Sequence, residues 1–161
     1  MLYNVLAKFV YNFMKKQREK KWATNPHVQI AKSADISPNA TIRFGKGVIK
    51  IGENVFVNEL CALNTCDSTI KIGNDVLIGP GTIINTINHH VDRTDIPILN
   101  QGLNEKPIVI EDDTWIGANC TILGGVQIGA HSVIGAHSLV NHSIPPNSVA
   151  YGVPCKVIRK R

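Results

Sequence analysis

The stretch "IEDDTW IGANCT ILGGVQ IGAHSV IGAHSL VNHSIP", residues 110–145, places an apolar residue at every sixth position. Ile110, Ile116, Ile122, Ile128, Ile134 and Val140 open the hexads. Their fifth positions are Thr114, Cys120, Val126, Ser132, Ser138 and Ile144, mostly small or β-branched residues that can also point inward. Helical side chains repeat at about 3.6 residues and strand side chains at 2, so neither element accounts for six. A triangular coil does. Each hexad supplies one short side and a corner, three hexads make a turn, and equivalent sides stack at about the 4.8 Å spacing of paired strands. The interior is then a column of Ile and Val, with Gly, Asn and Asp at corners where the backbone must turn tightly.

The same register continues upstream at Ile72, Ile78 and Ile84, at Ile51, Val57 and Leu63, and at Ile30, Ile36 and Ile42, which makes five sets of three. Three extra residues precede Ile51, three lie between Asp67 and Ile72, and about twenty separate coils three and four. Six unbroken hexads set aside an ordinary β-sandwich. The expectation is an all-β chain: a parallel β-helix of about five coils over residues 28–161, preceded by a helix and linker over 1–27. The long excursion, residues 89–109, starts within "TIINTINHHVDRTDIPI" (82–98), where histidines, aspartates and an arginine replace the isoleucine spacing. An irregular stretch of that length in a compact domain is usually functional.

Composition agrees with this architecture. Aromatic residues are only 6% of the 161, which suits a core of small stacked β-branched side chains. The formal charge of +5 is concentrated at the ends, in "KKQREKK" (15–21) and in Lys156, Arg159, Lys160 and Arg161. The remaining body has 8 basic and 11 acidic residues, so it lacks the basic face of a nucleic-acid binder. The four cysteines form no C-x-x-C pair, and the N-terminal apolar residues are interrupted by Asn4, Lys8 and Asn12 rather than forming a signal sequence. A reducing cytoplasm is the expected compartment.

Leu2, Val5, Leu6, Phe9, Val10, Phe13 and Met14 fall at i, i+3, i+4 spacing and define an amphipathic helix. It is expected to cap the open apolar end of the column; the alternative is peripheral membrane contact through residues 1–21, helped by the basic run. At the other end, "IPPNSVAYGVPCKVIRKR" stops the hexads and leaves a short extended basic tail.

With the hexads, the interrupting loop and "PPNSVAYGVPCKVIRK" in that order, the chain resembles the hexapeptide-repeat acyltransferases over roughly residues 28–160. It is most similar to the galactoside and maltose O-acetyltransferases and to those of surface-polysaccharide assembly. The resemblance implies a left-handed coil, an exception to the usual right-handed crossover. It also implies a homotrimer with acetyl-CoA between neighbouring columns and a saccharide or other small-molecule acceptor. His89 in "NHHVD" falls at the family's catalytic histidine; His90 stands where a proline is common. Asn58 matches the asparagine that holds acceptor hydroxyls and Asp67 a nearby acidic residue. Trp115 matches the aromatic wall beside the pantetheine arm, and Ala118 and Ala136 match backbone contacts to the cofactor. Asn141 and His142 stand where relatives often show Thr-Lys near a phosphate, and Lys156 and Arg159 match basic residues that reach the nucleotide phosphates.

Acetyl transfer needs a base for the hydroxyl proton and a donor for the developing oxyanion. Histidine titrates near neutrality and suits the first role, which falls to His89, with a backbone N–H near Ala118 as oxyanion donor. Cys61 and Cys120 occupy inward positions and read as core. Three alternatives stay open. One is an acetyltransferase of chloramphenicol or streptogramin type. Another is a zinc site of β-helix carbonic anhydrase type, for which His137 and His142 have the H-x4-H spacing but His89 falls out of register as third ligand. The last is a non-catalytic rod. No metal is expected.

Overall fold

Three stacks of short strands enclose the isoleucine column. The computed structural model describes residues 2–161, apart from the side chains of residues 2–5, 18, 19 and 21. The first face stacks Val28–Ile30, Val48–Ile51, Thr69–Ile72, Ile108–Ile110 and Gln127–Ile128. The second stacks Asp35–Ile36, Phe56–Val57, Leu77–Ile78, Trp115–Ile116, Val133–Ile134 and Ser148–Tyr151. The third stacks Thr41–Arg43, Ala62–Asn64, Ile83–Asn85, Thr121–Leu123 and Leu139–Val140. All of these pair in parallel, and the coil is left-handed.

Register measures the turn. Ile110 pairs with Ile128, Trp115 with Val133 and Thr121 with Leu139, eighteen residues on in each case. Ile30 pairs with Ile51 and Ile51 with Ile72, so the first two turns each carry three more residues, and Ile72 pairs with Ile110 across the long excursion. The opening residues Ile110, Ile116, Ile122, Ile128, Ile134 and Val140 are all fully buried. So are the fifth positions Thr114, Cys120, Val126, Ser132, Ser138 and Ile144. Their inward hydroxyls are satisfied at the corners: Ser138 donates to the Gly135 carbonyl at 2.6 Å and Thr114 to that of Glu111 at 2.9 Å.

Left-handed backbone angles recur coil after coil at two of the corners and occur once at the third, at Gly125. Asn54, Asp75, Asp113, His131 and Asn147 turn the chain from first to second face, and Leu60, Gly81, Asn119 and His137 from second to third. Asn and Asp tolerate this region and Gly is free in it; His131 and His137 depart from the expected corner chemistry, and Leu60, at φ 60°, departs furthest as a branched aliphatic residue.

The N-terminal helix, Leu2–Ala23, corrects one expectation. Its apolar stripe does not cap the column. Lys15 pairs with Asp35 at 2.6 Å and Trp22 packs against the core, whereas Leu6, Phe9, Val10, Phe13 and Met14 are exposed. Helix geometry explains why: Leu6 and Lys15, like Phe13 and Trp22, are nine residues apart, about two and a half turns, and so leave opposite sides. Leu2 and Val5, also expected in the stripe, have side chains outside those described. The C-terminal tail differs as well. Instead of trailing away, Lys156–Lys160 folds back antiparallel on Ser148–Tyr151, after a turn at Gly152 with φ 111° and anchored by buried Cys155.

Candidate active site

Alternation along the short strands turns one residue of each two-residue second-face strand outward, and both Val149 and Tyr151 of the longer Ser148–Tyr151. Phe56, Leu77, Trp115, Val133 and Val149 pair in sequence, so they form one outward ladder, with Trp115 55% exposed in the middle. The returning strand extends it. Lys156 lies opposite Tyr151 and Arg159 opposite Val149, because a register shift between Val149 and Ala150 leaves Ile158 as the extra residue. Directly opposed side chains share a face, and Val149 and Tyr151 are two apart, so Lys156 and Arg159 emerge together beside the apolar ladder. Without the shift, three residues of spacing would send them to opposite faces.

At the corner where the second face ends, Gly117 and Gly135 let successive coils approach closely. A Cβ built on Gly117 would stand 2.6 Å from the Ala136 nitrogen. Gly117 donates to the Ile134 carbonyl and Asn119 to that of Pro80, but among the described residues the intervening Ala118 N–H has no protein acceptor. Ala136 repeats the pattern one coil on, between Gly135 and His137. Ala118 is half-buried and Ala136 exposed, both at the corner that follows the second-face strands. Asn58 lies at the same corner two coils earlier, its Oδ1 accepting the Glu59 N–H at 2.7 Å.

His89 leaves the next corner, between third and first faces. Its backbone pairs with Leu103 in an antiparallel bridge, its N–H donates to Asn88 Oδ1 at 3.0 Å, and Asn104 donates to the Asn88 carbonyl at 2.8 Å. The excursion is therefore closed at its base. Farther out, the Gln101 amide bonds the carbonyls of Arg93 and Ile96 and accepts the Arg93 N–H, while the Arg93 guanidinium pairs with Asp95. His89 and His90 are both exposed. Beside the loop base lies a groove of about 440 Å³ in which Asn85, Asn88, Asn104, Asn141 and Lys106 meet the apolar Ile87 and Leu123.

Glu105, which the sequence did not single out, fastens this loop. Its carboxylate accepts the N–H groups of Cys66 at 3.1 Å, Asp67 at 3.1 Å and Ser68 at 3.3 Å, together with the Thr86 hydroxyl at 2.9 Å. Burial pushes the carboxyl pKa up, but those four donors outweigh it, Cys66 foremost, and hold it below the ordinary value. The available signal was the three-residue surplus around 66–68, whose converging N–H groups form a nest for an anion.

The structure thus sorts the expected residues by corner. Trp115, Ala118, Ala136 and Asn58 border the end of the second face, and Lys156 and Arg159 the top of its ladder. His89, Asp67 and Asn141 gather at the other end of the third face. Asp67 is exposed and contributes its N–H to Glu105, and His142 bonds Asn141 Oδ1 at 2.9 Å. His137 and His142 leave different corners, so one column does not bring them to a common ion. Burial raises the thiol pKa of Cys61, Cys120 and Cys155, and desolvation with Asp67 and Glu105 raises that of Cys66, which leaves no activated thiolate among the four.

Residues 107–142 match the family model described as bacterial transferase hexapeptide (six repeats). The chain is 39% identical over 132 residues to a galactoside O-acetyltransferase of Lactococcus lactis, covering 82% of this chain and 62% of that one. It is 40% identical over 124 residues to a putative lipopolysaccharide biosynthesis O-acetyl transferase of Escherichia coli, covering 73% and 63%. Among solved structures it is similar to a hexapeptide-repeat acetyltransferase of Vibrio cholerae complexed with acetyl-CoA, with a TM-score of 0.72, 35% identity, and coverage of 83% and 70%. The chain spans between 44% and 63% of the length of the curated relatives it matches.

Proposed function

The chain belongs to the hexapeptide-repeat transferases, and from that premise we propose that it is an acetyl-CoA-dependent O-acetyltransferase of a sugar hydroxyl, in saccharide or surface-polysaccharide modification. The observation that carries this reading is the second-face ladder. An apolar strip centred on Trp115, ending in Lys156 and Arg159 and flanked by the N–H groups of Ala118 and Ala136, suits a molecule with a thioester, a thin amide-bearing arm and phosphates. The amides of Asn85, Asn88 and Asn104 at the base of the His89 loop suit a polyhydroxylated acceptor.

In this reading His89 is the general base. Its imidazole takes the proton of the acceptor hydroxyl as the oxygen attacks the thioester carbonyl, and the Ala118 N–H donates to the oxyanion. Collapse expels the CoA thiolate, which takes the proton back from the imidazolium, so no acyl-enzyme is formed. Asn58 and Asp67 hold acceptor hydroxyls, while Asn141 and His142 stand near a cofactor phosphate. Within one column His89 and Trp115 belong to different corners, so the reaction requires a neighbour that sets the loop of one subunit against the ladder of the next. A homotrimer would do this, and the use of acetyl-CoA supports a cytoplasmic reaction. The test is a thiol-release screen of the purified full chain with acetyl-CoA against sugars, nucleotide sugars and antibiotics. Release dependent on a saccharide supports the reading. Release only with chloramphenicol or a streptogramin, or failure to bind CoA by calorimetry, overturns it.

A further inference from the structure

The apolar stripe of the N-terminal helix faces away from the protein's own column. Leu6, Phe9, Val10, Phe13 and Met14 are 62%, 66%, 46%, 56% and 42% exposed, while the opposite side of the same helix supplies Lys15 and Trp22 to the coil. Charge on the helix is equally one-sided in sequence. Residues 1–23 hold six basic residues against one acidic, a net charge of +5, and the remaining 138 residues balance with eleven of each sign. Exposed Lys16 and Lys20 lie seven residues beyond Phe9 and Phe13, about two turns, and so continue the stripe's own side as cations.

We propose that this side of the helix docks the protein on a membrane surface rich in anionic lipid. A stripe of bulky apolar residues followed by lysines on the same side inserts its rings at the acyl boundary and lays its ammonium groups among negative headgroups. No helix among the described residues is long and apolar enough to cross a membrane, so the helix lies in the interface plane rather than spanning it. A second copy mated stripe to stripe is the poorer occupant, because that contact would bring two concentrations of positive charge together. An anionic surface relieves that repulsion while burying the same rings. The inference does not depend on acetyl transfer.

The experiment is flotation of the full chain with vesicles of phosphatidylglycerol and phosphatidylcholine, and with vesicles of phosphatidylcholine alone, alongside sedimentation velocity without lipid. The chain should float with the anionic vesicles, and binding should weaken about tenfold on neutral vesicles, at high salt, or in Lys16→Gln/Lys20→Gln. Phe9→Asp/Phe13→Asp should abolish flotation with an unchanged sedimentation coefficient. Absence of flotation with anionic vesicles, equal binding to both compositions, or a fall in assembly mass in Phe9→Asp/Phe13→Asp overturns the proposal; the last result would assign the stripe to contact between copies.

Discussion

The Glu105 carboxylate meets the amide nitrogen of Cys66 at 3.1 Å, so the returning leg of the excursion is tied to a coil that lies 39 residues earlier in the chain. Thr86, where the outgoing leg begins, donates to the same carboxylate at 2.9 Å. One side chain therefore fixes both feet of the loop that carries His89.

Replacing Glu105 with Ala strips the acceptor from three N–H groups and one hydroxyl and should cost about 1–3 kcal/mol, read as a shifted urea midpoint. The pH dependence has a definite sign. Because the folded-state pKa lies below the ordinary carboxyl value, the contribution is fully present above that ordinary value and is lost as pH falls through the lower, folded one. Glu105→Gln should therefore flatten the acid limb of the stability profile. An unchanged acid limb would show that the carboxylate does not hold the nest.

His89→Ala should lower turnover about 10²–10⁴-fold with little change in CoA affinity, since the imidazole acts in the proton transfer and not in holding the donor. His90→Ala should keep most of the activity; its backbone N–H already bonds the Gly102 carbonyl at 3.2 Å, a contact that alanine preserves. Steady-state thiol release with a saturating acceptor checks both, and the reverse ranking would move the base to His90.

Leu60 holds φ 60° at a corner where the following coils place Gly81, Asn119 and His137. Its side chain is 72% exposed and gains little from packing in return. Leu60→Asn should raise stability by about 1 kcal/mol, since a left-handed conformation costs a branched aliphatic residue roughly 1–2 kcal/mol. Thermal melts compared with Leu60→Ala separate backbone relief from loss of the exposed isobutyl group. An equal gain from Ala would point to the side chain instead.

The column was legible because every turn rewrites the same constraint. A polar residue at Ile116 or Ile134 would break a stack in which each is fully buried, so the period stands out of the sequence. Thr114 and Ser138 could be read as inward because their corners offer each short hydroxyl a carbonyl, which the buried Thr65 hydroxyl does not find. Other features depend on chain paths that periodicity does not encode. Glu105 finds its nest only once the excursion has returned. The helix pattern showed that an apolar side exists but not that Trp22 and Lys15 would take the coil. For the ends of the ladder, the residue types of Lys156 and Arg159 were visible, while their common face rests on a register shift at Ile158 that local sequence does not announce.

That shared face gives the last prediction. If Lys156 and Arg159 hold phosphates at the end of the Trp115 ladder, they act equally on ground and transition states, because the phosphates lie far from the thioester. Arg159→Ala should then raise KM for acetyl-CoA about tenfold and leave kcat near its original value. Lys156→Ala should do the same, and both effects should shrink at high ionic strength because the side chains are exposed. Trp115→Ala removes wall beside the reacting arm and should lower kcat as well as raise KM. If Arg159→Ala instead reduced kcat at unchanged KM, its guanidinium would be acting near the acyl group, and the donor would have to lie along the ladder in the opposite direction.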